Sequence, residues 1–92
     1  MQLSNAIRQR IINLSEEKQL SLREVSNRSK VPYQTIITFM SGKTRTIRIG
    51  TLFDICNGLD IELIDFFSDD LFKEVIDEKE AKSVLESIRK EY

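Results

Sequence analysis

Two polar residues, Gln34 and Thr38, stand one helical turn apart in a segment whose apolar residues repeat at three- and four-residue spacing. This period places them on the face opposite to the apolar one. A glutamine amide can donate and accept hydrogen bonds together, which matches the N7 and N6 edge of adenine, and threonine offers thymine a hydroxyl or a methyl group. The pair is a candidate for reading base pairs, and Tyr33 and Thr35 flank it as further candidates.

Basic and hydroxyl side chains lie on both sides of this segment. Such side chains bind phosphates, and phosphate contacts set the register of a protein on a duplex rather than its sequence preference. The candidates are Ser21, Arg23, Lys43, Thr44, Arg45 and Arg48. Ser21 has an alternative role as a helix cap, and we interpret Arg8 and Arg10, nearer the N-terminus, as solvated charges.

Charge is divided unevenly along the chain. Residues 1–50 contain nine basic and three acidic side chains, whereas residues 51–92 contain five basic and twelve acidic ones. The formal net charge of −1 conceals this division. A basic half indicates a surface for a polyanion, and an acidic remainder limits nonspecific association. The alternative is that the basic residues only solvate helices.

Residues typical of enzyme chemistry are scarce. The sequence has no histidine, a single cysteine, Cys56, and no glycine-rich phosphate loop. Its acidic side chains between residues 69 and 80 lack the spacing of metal ligands and are interpreted as a solvated face. We therefore expect no catalytic site, no metal and no cofactor, and the chain is predicted not to be an enzyme.

Local signals indicate the two helices that position the candidate side chains. Ser21 followed three residues later by Glu24 is a capping box, which predicts that a helix begins at Leu22. Pro32 favours the start of the next helix and disfavours helix for the residue before it, so residues 29–31 form the turn. Two short helices that meet at a steep angle, one with a free polar face, form a helix-turn-helix.

The remaining periodicity predicts an all-α chain. A stripe of Leu3, Ile7, Ile11 and Leu14, widened by Ala6, defines the first helix. Gly42 is predicted to end the third helix, and Asp60 to adopt a left-handed conformation after the fourth. The predicted helices cover residues 3–17, 22 to the turn at 29, 33–40, 49–58 and 62–67.

Residues 69–92 are predicted to form an acidic helical extension. Leu71, Phe72, Val75 and Ile76 fit one short helix. A longer stripe consists of Ala81, Val84, Leu85, Ile88 and Tyr92. This stripe could pack on its own domain, form a homodimer or bind a partner protein, and the sequence leaves all three open.

Length and composition indicate a single globular domain. The chain has 92 residues, 40% of them hydrophobic and 32% charged. No apolar run approaches the roughly 18 residues that cross a membrane, and the N-terminus lacks the apolar region of a signal peptide. We therefore expect a cytoplasmic protein without membrane contact, in which Cys56 forms no internal disulfide.

Two stretches resemble the phage repressor/Cro-type helix-turn-helix family, also called the xenobiotic-response-element family. LSLREVSNRSKVPYQTIITFMSGK, from Leu20 to Lys43, aligns without a gap with the family pattern L-T-Q-E-E-L-A-x-x-S-G-V-S-x-x-T-I-S-x-I-E-x-G-K. LFDICNGLDIELIDFF resembles the later pattern L-x-x-I-A-x-A-L-x-V-x-L-x-x-F-F. The resemblance covers residues 3–67.

Four residues depart from the family pattern. Lys30 stands at a turn position that favours glycine and is expected at positive φ, at a cost of about 1 kcal/mol. Leu22 replaces a glutamine that commonly contacts DNA. Met40 and Ser15 replace a glutamate and an arginine that usually pair. Removing one partner of a buried ion pair costs about 3–5 kcal/mol, whereas replacing both can be nearly neutral.

The resemblance implies a five-helix repressor-like domain over residues 1–68, followed by the extension. It also implies a sequence-specific transcriptional regulator, a repressor, that inserts the third helix into the major groove of double-stranded DNA and contacts phosphates through the loop that follows. A two-fold-symmetric operator implies a homodimer. The alternative is an antitoxin or other interaction module whose C-terminal segment binds a partner protein.

Overall fold

The computed structural model describes residues 1–73 and residue 75, which form five α-helices and one 3-10 helix. The predicted all-α fold is confirmed. The elements are α1 (Leu3–Glu17), α2 (Leu22–Ser29), α3 (Tyr33–Met40), α4 (Ile49–Gly58), α5 (Leu63–Phe67) and the 3-10 helix Asp70–Phe72. Within the described residues, no helix is both long enough and apolar enough to cross a membrane.

Aliphatic and aromatic side chains from all five α-helices form one core. The buried apolar residues are Ala6, Ile7, Ile11, Leu14, Val25, Val31, Ile36, Phe39, Leu52, Ile55, Cys56, Leu59 and Phe66. The apolar stripe predicted for α1 is confirmed for Ala6, Ile7, Ile11 and Leu14. Leu3, the first residue of the helix, is the exception, because it is 39% exposed.

The two helices of the helix-turn-helix begin where predicted, at Leu22 and Tyr33, whereas Ser29, predicted in the turn, is the last residue of α2. Ser21 Oγ accepts the Glu24 amide proton at 3.1 Å, and Glu24 Oε1 accepts the Ser21 amide proton at 3.2 Å, so the capping box is present. Two of the amides that the first turn of α2 cannot pair internally are thereby satisfied. Pro32 is the N-cap of α3 and has an extended ψ of 135°.

Buried hydroxyl groups stabilise the turn between α2 and α3. Lys30 has φ 60° and ψ 21°, the left-handed conformation expected for it. Ser26 Oγ donates to the Val31 carbonyl at 2.6 Å, and Ser29 Oγ accepts the Val31 amide proton at 3.3 Å. Both polar backbone groups of the buried Val31 are thus paired, which removes the cost of leaving them unsatisfied.

Each of the four helix junctions contains one residue with a left-handed backbone. These residues are Gln19 (φ 57°), Lys30 (φ 60°), Gly42 (φ 83°) and Asp60 (φ 56°). The expectation for Asp60 is confirmed, whereas the left-handed conformation of Gln19 was not predicted. Because a left-handed residue reverses the chain within one or two positions, three of the four connections are short: residues 18–21, 30–32 and 59–62.

The junctions after α1 and α4 share one hydrogen-bonding pattern. The Leu20 amide donates to the Ser15 carbonyl at 2.8 Å, and the Ile61 amide donates to the Cys56 carbonyl at 3.0 Å. Both donors follow the left-handed residue, and both side chains pack against the core. This is the Schellman arrangement, in which an apolar residue after the helix covers its last turn.

The backbones of α2 and α4 lie in direct contact at Gly58 and Ser29. A Cβ atom placed on Gly58, the last residue of α4, would lie 2.7 Å from the Ser29 amide nitrogen and 2.9 Å from the Ser29 Cα. Such distances are far below van der Waals contact. Only glycine fits at this position, and its missing side chain lets the end of α2 rest on α4.

Arg10 connects α1 to the C-terminal end of α5. Its Nε donates to the Phe66 carbonyl at 2.9 Å and its Nη2 to the Asp65 carbonyl at 3.1 Å, while Nη1 pairs with Asp69 at 3.1 Å. The Arg10 side chain is only 13% exposed. The interpretation of Arg10 as a solvated charge is therefore wrong, because its long side chain leaves the polar face and reaches the carbonyl groups at a helix end.

The departures from the family pattern are accommodated without a buried charge. Ser15 is buried, and its hydroxyl donates to the Ile11 carbonyl of its own helix at 2.7 Å. Met40 and Leu22 are half-buried and pack against the core. Leu22 therefore contributes to packing rather than to the hydrogen-bonding surface at the start of α2.

The described part of the C-terminal region packs on the domain. Phe72 forms an aromatic cluster with Phe66 and Phe67, with ring centroids 5.8 and 4.9 Å away. The short α-helix predicted through Leu71 and Val75 is wrong for these two residues: Leu71 belongs to a single 3-10 turn, and Val75 is not helical. Ile76 and the longer stripe from Ala81 to Tyr92 lie outside the described residues.

Gly58→Ala tests the close approach of α2 and α4. We expect a loss of about 1–3 kcal/mol in the free energy of unfolding, because the added methyl group meets backbone atoms that cannot repack. Gly50→Ala is the matched control, since a Cβ at Gly50 meets nothing within 4 Å and alanine favours helix by up to about 1 kcal/mol. Urea unfolding of both variants measures the difference, and a Gly58→Ala protein as stable as the wild type would contradict the packing described.

Candidate nucleic-acid interface

The polar face of α3 presents the four residues that the sequence singled out for base contacts. Gln34 and Thr35 are exposed, and Tyr33 and Thr38 are half-buried. Gln34 Nε2 donates to Thr38 Oγ1 at 3.3 Å. This bond orients the amide, and it leaves the second amide proton and Oε1 free to meet the edge of a base.

A concave surface lies between α3, the loop that follows it (residues 41–48, the α3–α4 loop) and the start of α4. Its volume is about 310 Å³. The residues that line it are Gln34, Thr35, Thr38, Phe39, Thr44, Thr46, Ile47, Arg48 and Thr51. It brings three candidates for base contact together with two candidates for phosphate contact. Thr46 and Thr51 were not predicted. Threonines in a loop and in the first turn of a helix nevertheless have hydroxyl groups that can donate hydrogen bonds to phosphate oxygens.

The helix ends at this surface favour negative charge. Neither α3 nor α4 has a side-chain cap or an acidic residue in its first turn. The N-cap of α4 is Arg48, which is exposed. Unpaired amide groups and the helix dipole make such a terminus attractive to anions.

The segment that contains the concave surface is rich in basic residues. Between residues 20 and 50 the chain has six basic side chains and one acidic one, Glu24. Lys43 and Arg45 are exposed in the α3–α4 loop beside Arg48. Arg48 is the basic residue that lines the concave surface together with Gln34.

Arg23 and Tyr33 form a pair at the other end of this face. The Arg23 guanidinium carbon lies 4.1 Å from the centre of the Tyr33 ring, a cation–π contact between the first turns of α2 and α3. Ser21 lies next to this pair and serves as the cap of α2. Tyr33 therefore supports a basic side chain in addition to facing solvent.

Arg8 of α1 contacts the end of α3 and the α3–α4 loop. Its Nε donates to the Phe39 carbonyl and its Nη2 to the Thr44 carbonyl, both at 2.7 Å. The interpretation of Arg8 as a solvated charge is wrong, because the side chain is half-buried and joins α1 to the end of α3. No spacing rule relates Arg8 to residues more than thirty positions away, so the sequence alone carried no signal for these contacts.

Comparison with known families identifies this arrangement. The family model for the Cro/C1-type HTH DNA-binding domain matches residues 10–70. The chain belongs to this family. Comparison with curated proteins and with solved structures gives no significant match. The Cro/C1-type domain includes all of α2 to α5 and most of α1, and its helix-turn-helix is α2 and α3.

The single cysteine of this Cro/C1-type domain, Cys56, is buried. Burial raises the pKa of the Cys56 thiol from 9.0 to about 11, and the positive charge of Arg10 offsets part of that rise. The thiol is therefore protonated at neutral pH and a poor nucleophile. No group of three or more potential metal ligands occurs among the described residues. Members of the family are DNA-binding regulators rather than enzymes.

Proposed function

We propose that this chain is a sequence-specific transcriptional regulator, a repressor, that binds double-stranded DNA through α3 and the α3–α4 loop. The concave surface carries the proposal, because it places candidates for base and phosphate contact side by side on the basic half of the chain. A domain bound to its operator blocks the access of other proteins to that stretch of DNA without any further contact. Repression is therefore the simplest outcome of binding.

Base reading is assigned to the N-terminal part of α3. With one amide proton held by Thr38, Gln34 retains a donor and an acceptor, which is the pair that adenine requires at N7 and N6. The Thr38 methyl group and Thr35 extend the contact along the groove. Tyr33 contributes at the start of the helix, where its ring supports Arg23.

Phosphate binding is assigned to both ends of this face. Thr44 and Arg48 line the concave surface, and the exposed Lys43 and Arg45 belong to the same loop. At the start of α3, Arg23 contacts Tyr33, and Ser21 caps the helix that carries Arg23. The amides at the start of α4 add donors that need no side chain. Contacts on two sides of α3 fix its orientation in the groove, because phosphate contacts set register.

A homodimer is the proposed binding unit. One helix-turn-helix contacts few base pairs, and two copies on a symmetric operator multiply the affinity. Exposed apolar side chains on α4 and α5 support association: Ile49 is 65% exposed, Phe53 51% and Ile64 71%. Domain boundaries at 1–68 and 69–92 remain a proposal, as does a protein partner for the second segment.

Gln34→Ala tests base reading. The matched site is first obtained by sequencing DNA that the protein selects from a random pool, and absence of an enriched motif contradicts sequence-specific binding. We expect the variant to lose about 1–3 kcal/mol of discrimination between the matched site and a site changed at one base pair. Fluorescence anisotropy measures both affinities. Asn27→Ala removes an exposed amide from α2 outside the concave surface and is expected to discriminate as well as the wild type.

Arg45→Ala tests phosphate binding. We expect weaker binding to every sequence and a salt dependence whose slope is smaller by about 1, because one phosphate contact releases about one counterion. Affinities on matched and unrelated duplexes over a series of salt concentrations give the slope. Arg28→Ala, which removes an exposed charge from the last turn of α2, is the control. If Arg45→Ala and Arg28→Ala have equal slopes, Arg45 does not contact phosphate.

Phe53→Glu tests the homodimer. We expect the full chain to sediment as a dimer and the variant as a monomer, because a charge in place of an exposed aromatic side chain opposes burial in an interface. Lys18→Glu introduces the same residue at an exposed position at the end of α1 and should leave the dimer intact. Analytical ultracentrifugation over a concentration series decides the question, and a wild-type chain that remains monomeric throughout contradicts the proposal.

A further inference from the structure

The half-buried Arg8 side chain makes several hydrogen bonds, although Arg8 belongs to neither the helix-turn-helix nor the α3–α4 loop. Its Nη1 donates to Asn5 Oδ1 at 2.8 Å, and its guanidinium carbon lies 4.6 Å from the centre of the Phe39 ring. The contacts with the Phe39 and Thr44 carbonyls complete the set. A guanidinium group with three fixed hydrogen bonds and an aromatic neighbour has little freedom left.

The two carbonyl groups that Arg8 binds stand at the two sides of a helix end. Phe39 lies in the last turn of α3, and its carbonyl also accepts the Gly42 amide proton at 3.1 Å. Thr44 lies five residues further on, in the middle of the α3–α4 loop. One side chain thus fixes the distance between the end of the recognition helix and the loop proposed to bind phosphate.

The loop itself supplies weaker restraints. At its start the Lys43 amide donates to Ser41 Oγ at 3.4 Å, which is a long hydrogen bond, and toward its end Ile47 packs on the core. Thr44, Arg45 and Thr46 between these points are exposed. The bond from Arg8 to the Thr44 carbonyl therefore anchors the stretch that carries the proposed phosphate contacts.

We infer that Arg8 is a positioning residue, which sets the α3–α4 loop in the conformation that binds the DNA backbone before DNA arrives. The inference rests on the proposed function of that loop. Arg8 acts through Phe39 and Thr44, and its guanidinium is turned toward their carbonyl groups rather than toward a phosphate. Ordering a loop in advance lowers the entropy lost on binding, and this raises the affinity for every sequence alike.

Replacing Arg8 by lysine separates positioning from charge. Lysine keeps the positive charge but cannot reproduce the planar fork that reaches two carbonyls and Asn5 at once. If Arg8 positions the loop, Arg8→Lys and Arg8→Ala both weaken binding by about ten-fold on matched and unrelated duplexes. The slope of the logarithm of the affinity against the logarithm of the salt concentration then stays unchanged. If Arg8 acts by charge, Arg8→Lys binds like the wild type and Arg8→Ala has a smaller slope, which overturns the inference.

Amide hydrogen exchange in the DNA-free protein provides the second measurement. Faster exchange at residues 43–47 in Arg8→Lys, with α1 and α4 still protected, supports the inference, and unchanged exchange overturns it. Asn5→Ala removes only the acceptor that orients the guanidinium and should give a smaller change in the same direction, so the test survives if Arg8→Ala fails to fold. Arg28→Lys, on the exposed side of α2, is the control and should alter neither measurement.

The two measurements also separate this inference from the proposed function. A wild-type protein that binds no duplex at any salt concentration refutes the proposed function. The exchange measurement still reports whether Arg8 holds the loop. Tight wild-type binding together with unchanged affinity and exchange in both Arg8 variants leaves the function standing and refutes the role of Arg8.

Discussion

Contact between the backbones of α2 and α4 at Gly58 determines where the interface lies. Side chains can repack when a neighbour moves. Two backbones that leave no room for a methyl group between them cannot adjust in this way. The contact holds Ser29, and Ser29 is bonded to the turn whose geometry directs α3 away from α2. Since α4 also provides Arg48 and Thr51 at its other end, this one contact positions both the helix proposed to contact bases, α3, and the helix proposed to contact phosphates, α4.

α1 stabilises this arrangement through two arginines that act at the C-terminal ends of other helices. Neither α3 nor α5 has a basic residue of its own in its last turn. Arg8 supplies a cation to the end of α3 and Arg10 to the end of α5, where the helix dipole favours positive charge. The chain thus connects its helices without the Glu and Arg pair that the family usually places at the positions of Met40 and Ser15, and the neutral replacements pack instead.

Sequence features with a local cause predicted the fold well. The capping box at Ser21, the proline at position 32 and the left-handed positions at Lys30 and Asp60 each depend on a few neighbouring residues, and each prediction agrees with the structure. The errors concern distant contacts: a helical period assigns Arg8 and Arg10 to a polar face but cannot show which carbonyl groups a long side chain reaches. The need for glycine at position 58 was invisible for the same reason, because it depends on Ser29 of another helix.

The four left-handed residues at the junctions have a kinetic consequence. Each one ends a helix and reverses the chain within a few positions, so α2 packs against α3, and α4 against α5, through contacts that are local in sequence. Local contacts close short loops, and domains dominated by them cross the folding barrier in microseconds to milliseconds. The contact of α2 with α4 at Gly58 and the two arginines of α1 are the exceptions, because their partners lie far apart in the chain. The turn between α2 and α3 therefore closes a short loop during folding, whereas α4 and α1 dock across longer ones.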